Sequence, residues 1–326
     1  MKRCSKPMKY LLLIVFLISP VWVFGIAWDG SVGDNRWDSG LNWVGDAVPP
    51  AGADVEFPID ANIISSNVVP TIGILTISAG ANVSLVLSNP LGLTMTTTSI
   101  DGSLTTSVQD LDAGDVILAG ISSINTTGQN FDATSISGGS DFTLTSGAGI
   151  VNITGAIGTV PLGDFTIVTS GGITTNSTIN ATSVDLTSAG NVSLGGAVTV
   201  PGGFTSAGVT FTSLGLDSSG GLGGISINHT GNVTLNGPVV SDSGDVTLNS
   251  DGILTLNQSV SSTSGALDFT SVGITNVGAD TTTGGTGSVT YNDNVTLTAS
   301  VNVNSTGTGD VDFLGTLNGT TASVED

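Results

Sequence analysis

From Gly231 to Leu317 apolar and polar residues alternate in short bursts, each opened by a turn former, and the bursts return about every 21 residues. Two ladders interleave. One reads Gly231-Asn-Val-Thr-Leu, Gly252-Ile-Leu-Thr-Leu, Gly273-Ile-Thr-Asn-Val and Asp293-Asn-Val-Thr-Leu, with starts 21, 21 and 20 residues apart. The other reads Gly244-Asp-Val-Thr-Leu, Gly265-Ala-Leu-Asp-Phe, Gly287-Ser-Val-Thr-Tyr and Gly309-Asp-Val-Asp-Phe, at spacings of 21, 22 and 22. An apolar–polar period of two predicts strands with one buried face. A constant repeat near 20 residues predicts a solenoid, in which each coil buries its apolar side chains only against its neighbours.

A third apolar patch lies between the ladders, at Val239-Val240, Val260, Val301 and Val303. One coil therefore reads as three short strands with Gly, Asn or Ser at the corners. A leucine-rich horseshoe would need Leu at fixed offsets, which are missing. Parallel pairing needs a long crossover, and one full coil supplies it. The expected fold is all-β, a parallel β-helix. About 22 residues per coil gives roughly 12 coils after Asp60, a rod of about 60 Å at ~4.8 Å per rung.

In the middle of the chain, Gly114-Asp-Val-Ile-Leu, Ser140-Asp-Phe-Thr-Leu, Gly163-Asp-Phe-Thr-Ile and Gly190-Asn-Val-Ser-Leu follow one another at 26, 23 and 27 residues. These uneven steps suggest loops inserted at corners, where solenoids accept them. The Thr-x-Thr pairs Thr143-Leu-Thr145 and Thr296-Leu-Thr298 are not in register coil after coil. That argues against a flat threonine array of the kind that binds ice.

Composition sharpens this picture. The chain is 39% apolar, 5% aromatic and 10% charged, with 47 Gly. A mean hydropathy of +0.37, together with β-branched alternation, argues against disorder as the explanation of so polar a sequence. Four of the five basic residues (Lys2, Arg3, Lys6 and Lys9) precede position 10, and only Arg36 follows. Met1 to Lys9 is basic, Tyr10 to Phe24 apolar, and Gly25-Ile26-Ala27 ends in small residues. This is the pattern of a secretory signal peptide over residues 1–27, with a cut before Trp28. The apolar core is short of the ~20 residues a spanning helix needs. Beyond it one Arg faces 26 carboxylates, a net charge of −25. Phosphate neutralisation needs Lys and Arg, so nucleic acid is excluded as a partner. The sole cysteine, Cys4, lies inside the leader, so the exported chain is free of disulfides.

Trp28, Trp37 and Trp43 crowd into 16 residues at the new N-terminus. Residues 28–60 read as a capping module, because the first coil of a solenoid exposes unpaired backbone and an apolar cross-section. A carbohydrate-binding platform built from the same three indoles is the rival reading. Repeats then occupy residues 61–326.

The pattern of Trp28-Asp-Gly30, Trp37, Asn42-Trp43-Val-Gly-Asp46, Pro49-Pro50 and Asp54-Val-Glu-Phe57, followed by Ile72-Gly-Ile-Leu-Thr-Ile-Ser-Ala-Gly80, resembles exported bacterial β-strand-repeat proteins. These are autotransporter-associated or filamentous-haemagglutinin-like adhesins. The resemblance implies a right-handed β-helix, at the cell surface or shed from it. Its implied partners are surface glycans or matrix of a host or neighbouring cell. A monomeric rod or part of a larger assembly would suit that role.

Candidate chemistry is sparse. His229, in Ile227-Asn-His-Thr-Gly231, is the sole histidine and reads as a corner residue. Lyases on β-helices use Arg or Lys, and only Arg36 is on offer. A hydrolase needs only two carboxylates. Asp110, Asp112 and Asp115 form the densest acidic cluster, and Asp310 with Asp312 alternate outward on one strand. Solvated faces, a hydrolytic pair and weak Ca²⁺ ligation by hard oxygen donors remain open for them. No other cofactor is called for. The function expected is that of a non-enzymatic, adhesin-like or structural protein, secreted or at the cell surface. A carbohydrate-active β-helix hydrolase is the alternative.

Overall fold

The computed structural model describes residues 25–65, 71–87, 93–107 and 110–320. Every strand-to-strand ladder in it is parallel, and the strands form a solenoid of about 12 turns. Among the described residues the only helical turn is a 3₁₀ turn at Gly40–Asn42. In the regular part a coil has three strands on three faces. One such coil runs Leu254–Leu256, Val260–Ser262 and Leu267–Ser271. We call the faces carrying these strands the third, first and second respectively. Longer strands such as Ile72–Leu87 and Ile179–Ser188 bend from the first face into the second without a break.

Both sequence ladders are real rungs. Val233, Leu254, Thr275 and Val295 stack on the third face, and Val246, Leu267, Val289 and Val311 on the second. The apolar member of each alternating pair points inward, giving one column of buried Val, Leu, Ile and Phe along the rod. Aromatics stack within it, as in Phe142 on Phe165 at 6.1 Å and Tyr291 on Phe313 at 5.0 Å.

The uneven spacings of the middle region come partly from units on different faces and partly from residues inserted along one strand, as where Ile157 pairs with Ile179 but Leu162 with Ala181. Asp115–Leu118 lies on the first face, Phe142–Gly147 and the Phe165 segment on the second, and Val192–Leu194 on the third. The 26- and 27-residue steps compare positions on different faces, whereas the 23-residue step stays on the second face. Along a single face the partners remain about 20 residues apart, as in Val116 to Ile136, Phe165 to Val184, and Val192 to Phe211.

Corners are closed by two devices. In the first, a buried hydroxyl at the end of a second-face strand donates to a glycine carbonyl of the preceding coil. Ser250 does so to Gly231 and Ser271 to Gly252, both at 2.7 Å, while Ser250 Oγ accepts the Gly252 N–H. In the second, a corner Asp or Asn accepts the backbone N–H about one coil later, as Asp245 does from Ala266 and Asp280 from Asn302, each at 2.8 Å. At Gly114 (φ +59°) an added Cβ would lie 2.2 Å from the Thr96 carbonyl oxygen, so no larger residue fits there.

The stack reaches back beyond residue 61, since Val55–Phe57 pairs with Leu75–Ile77 and Ile26–Ala27 pairs with Val55–Glu56. At the other end the last described rung has a neighbour on one side only. Val311 and Leu317 are accordingly exposed.

Candidate functional surfaces

The three indoles are packed edge to face: Trp28 on Trp43 at 5.0 Å and 85°, and Trp37 on Trp43 at 4.7 Å and 70°, with Phe57 beneath all three. Trp43 Nε1 donates to the Trp37 carbonyl at 2.9 Å. They are 3%, 2% and 0% exposed. Their faces are taken up by one another, so none is open for a sugar ring to stack on, and the arrangement is that of a plug. Around it Arg36 grips Asp38 through Nε at 2.9 Å and Nη2 at 2.7 Å. That hydrogen-bonded guanidinium holds the Asp38 carboxyl below its ordinary range. The Arg36 backbone N–H, helped by the Asn42 amide, does the same for Asp34.

The acidic residues picked out in the sequence separate in space. Asp110 and Asp112 sit on the third face and Asp115 on the first. The Asp110 carboxylate accepts from Asn130 at 2.8 Å and that of Asp115 from Ser135 at 2.6 Å, each bond tying one rung to the next. Asp112 accepts the Gly114 N–H at 3.3 Å. Asp310 and Asp312 are exposed on the last described rung, and the Asp310 N–H donates to Ser288 Oγ. No group of three or more potential metal ligands occurs among the described residues. The structure instead brings Asp132 into register beside Asp112, and Asn152 beside Asp132, with Asn152 Nδ2 donating to Asp132 at 3.0 Å. Together with Ala133, Thr134 and Thr154 they line a shallow polar recess. The offset of 20 between Asp110-Leu-Asp112 and Asn130-Phe-Asp132 carries this pairing in the sequence.

His229 stands at a corner, as expected, but its side chain is buried. It ends the strand Ile225–His229, points inward and is 1% exposed. Nε2 meets Ser206 Oγ at 3.0 Å, Phe211 lies 5.3 Å from the ring, and Nδ1 has no hydrogen-bond partner. Burial pulls its pKa down to about 4.

An ordered polar surface lies on the strands themselves. On the second face, outward positions in register run Asn82, Ser103, Ser123, Thr143, Thr166, Asp185, Thr205, Ser226, Thr247, Asp268, Thr290 and Asp312. Every one is Ser, Thr, Asn or Asp. A comparable column on the third face runs from Thr94 through Asp112, Asp132 and Asn152 to Thr296 and Asn318. Rungs ~4.8 Å apart make each column roughly 50 Å long. Thr143-Leu-Thr145 is in register with its neighbours, but Thr-x-Thr does not repeat from coil to coil, as expected. Its partners are Ser123 with Asn125 on one side and Thr166 with Val168 on the other. The surface is a mixed hydroxyl, amide and carboxylate lattice rather than a threonine array. Alignment by face, with offsets free to vary by a few residues, would have found it.

A scan of protein-family models, a search of curated proteins and a search of solved structures each found no match.

Proposed function

We propose that this chain is a non-enzymatic exported β-solenoid, adhesin-like or structural, that works outside the cell or at its surface. The observation that carries this reading is the unbroken polar column from Asn82 to Asp312, a repeated set of hydrogen-bonding groups with no bulky side chain in the way. Such a lattice suits an extended, hydroxyl-rich partner, a surface glycan or matrix polymer, bound by many weak contacts whose effects multiply. The signal-like leader and the resemblance of the tryptophan segment support the same location. The test is binding of the purified secreted protein to glycan and matrix arrays. The triple variant Thr166→Arg, Thr205→Arg, Thr247→Arg is expected to lose binding at least tenfold while melting as wild type does. Thr212→Arg on the third face should leave binding intact. Equal binding by both variants would remove the second face from the account, and no binding to any array would remove the adhesin reading.

A second reading rests on Asp112 and Asp132, adjacent carboxylates lining one recess. Paired carboxylates are the minimum equipment of a glycoside hydrolase. Release of reducing ends from a polysaccharide panel, abolished by Asp112→Asn, would establish it. Release unaffected by that substitution would exclude this pair.

A further inference from the structure

The first rung of the stack starts upstream of the cut that the leader pattern favours. Ile26–Ala27 forms a short parallel strand on Val55–Glu56. The Ile26 N–H donates to the Asp54 carbonyl at 2.8 Å, the Ala27 carbonyl accepts the Val44 N–H at 2.9 Å, and the Trp28 N–H donates to the Glu56 carbonyl at 2.9 Å. The Ile26 side chain is half-buried against the hydrophobic core. These contacts seat the segment that carries Trp28 into the aromatic plug.

A cut after Ala27 would remove all of this. The Val44 N–H and the Asp54 carbonyl would lose their partners, and the edge of the Val55 strand would be bared. The new ammonium would sit on Trp28 itself, whose indole is packed in the plug, rather than on a residue ahead of it. A cut two residues earlier has none of these consequences. Gly25 is as small as Ala27 and meets the demand for a small residue just before the scissile bond. The new ammonium at Ile26 keeps its bond to the Asp54 carbonyl and, on a half-exposed residue, keeps access to water. Gly25 has no side chain to lose, and a Cβ there would come within 3.1 Å of Val55 N.

We propose that the leader is removed at the Gly25–Ile26 bond, so that the mature chain begins at Ile26 and its first two residues are the first rung of the solenoid. The proposal rests on the export reading above. In the reaction, a leader peptidase directs water onto the Gly25 carbonyl carbon and the C–N bond breaks. The water oxygen stays on the Gly25 carboxylate of the released leader, and the Ile26 nitrogen leaves as an amine that takes up a proton.

The test is to produce the full-length chain in an export-competent bacterium, recover it from the periplasm or medium, and read its N-terminus by Edman sequencing and intact mass. The expected first residue is Ile26. A chain beginning at Trp28 would overturn the proposal while leaving export intact. A chain still beginning at Met1 and retained in the cell would overturn the export reading, and the proposal with it. The variants separate the two bonds: Gly25→Leu should abolish the Ile26 terminus, whereas Ala27→Leu should leave it in place. The reverse pattern would place the cut after Ala27.

Discussion

His229 stands where the next two coils carry Ser250 and Ser271. Serine closes that corner through its hydroxyl, and an imidazole cannot reproduce the bond. The ring instead turns into the core beside Ser206, a small residue in the column that holds Leu186 before it and Ile227 after it. Loss of volume at Ser206 is thus matched by the ring of His229, and the hydroxyl that would otherwise be stranded gains a partner. Burial makes this arrangement sensitive to pH. An unfolded imidazole titrates near ~6.5, whereas the folded one titrates at about 4. Between those values the unfolded chain binds a proton that the folded chain refuses, so stability falls as pH drops from 6.5 to 4 and this contribution is constant below 4. The full span is worth about 3 kcal/mol. Urea unfolding at pH 7 and pH 4.5 should show a larger loss for the wild type than for His229→Leu, whose core has nothing to protonate. Equal losses in the two proteins would mean the ring is reached by solvent.

At the scale of the coil, the recurring Asp and Asn have a bonding role and are more than solubilising charges. Asp54, Asp60, Asp141, Asp245 and Asp280 each accept a backbone N–H about one coil later, and Asn130, Asn232 and Asn294 do the same with an amide oxygen. A corner has N–H groups left over from the strand ladders, and these side chains satisfy them. Removing one such acceptor should cost about 1 kcal/mol. Asp245→Ala is therefore expected to lower the unfolding midpoint measurably, and Asp245→Asn to leave it nearly unchanged. Asp251→Ala, at an exposed corner site, should stay within about 0.5 kcal/mol of wild type. A loss in the Asn variant equal to that in the Ala variant would show that charge, and not the acceptor, matters.

The same scale shows what could be read beforehand. From Gly231 onward the offsets stay between 20 and 22, so alternation alone placed Val233, Leu254 and Val295 on one rung column. In the middle the strands are longer and bend between faces, which moves the turn residues relative to the inward positions and made Gly114 and Gly190 look like members of the series that Ser140 and Gly163 form. The plug was legible as three clustered indoles, but whether their faces were free depended on Phe57 and on the backbone beneath them. Asp132 is a partner of Asp112 only through the 20-residue offset of Asp110-Leu-Asp112 and Asn130-Phe-Asp132, a signal that local acid density does not show, because the neighbours of Asp132 carry no other acid.

For the whole molecule the dominant quantity is charge. After residue 27 one Arg faces 26 carboxylates, and that Arg is paired locally with Asp38. Most of the carboxylates among the described residues lie along a rod about 60 Å long, some stacked on adjacent rungs as Asp112 is on Asp132. In a solenoid each coil is held only by its neighbours, so repulsion between rungs acts directly on the contacts that hold it together. Raising ionic strength from ~10 mM to ~150 mM shortens the Debye length from ~30 Å to ~8 Å, which removes repulsion across several rungs and leaves only that between adjacent ones. Melting temperature should therefore rise steeply over that range and flatten above it. Calcium separates screening from binding. If the carboxylates are solvated faces, Ca²⁺ and Mg²⁺ at matched ionic strength should raise the melting temperature equally. If the oxygen-rich recess at Asp112 and Asp132 takes up the larger ion, Ca²⁺ should give a further increase that EDTA reverses and Asp132→Asn abolishes. A calcium-specific increase that survives Asp132→Asn would place the ion elsewhere, with Asp310 and Asp312 on the exposed last rung the next residues to substitute.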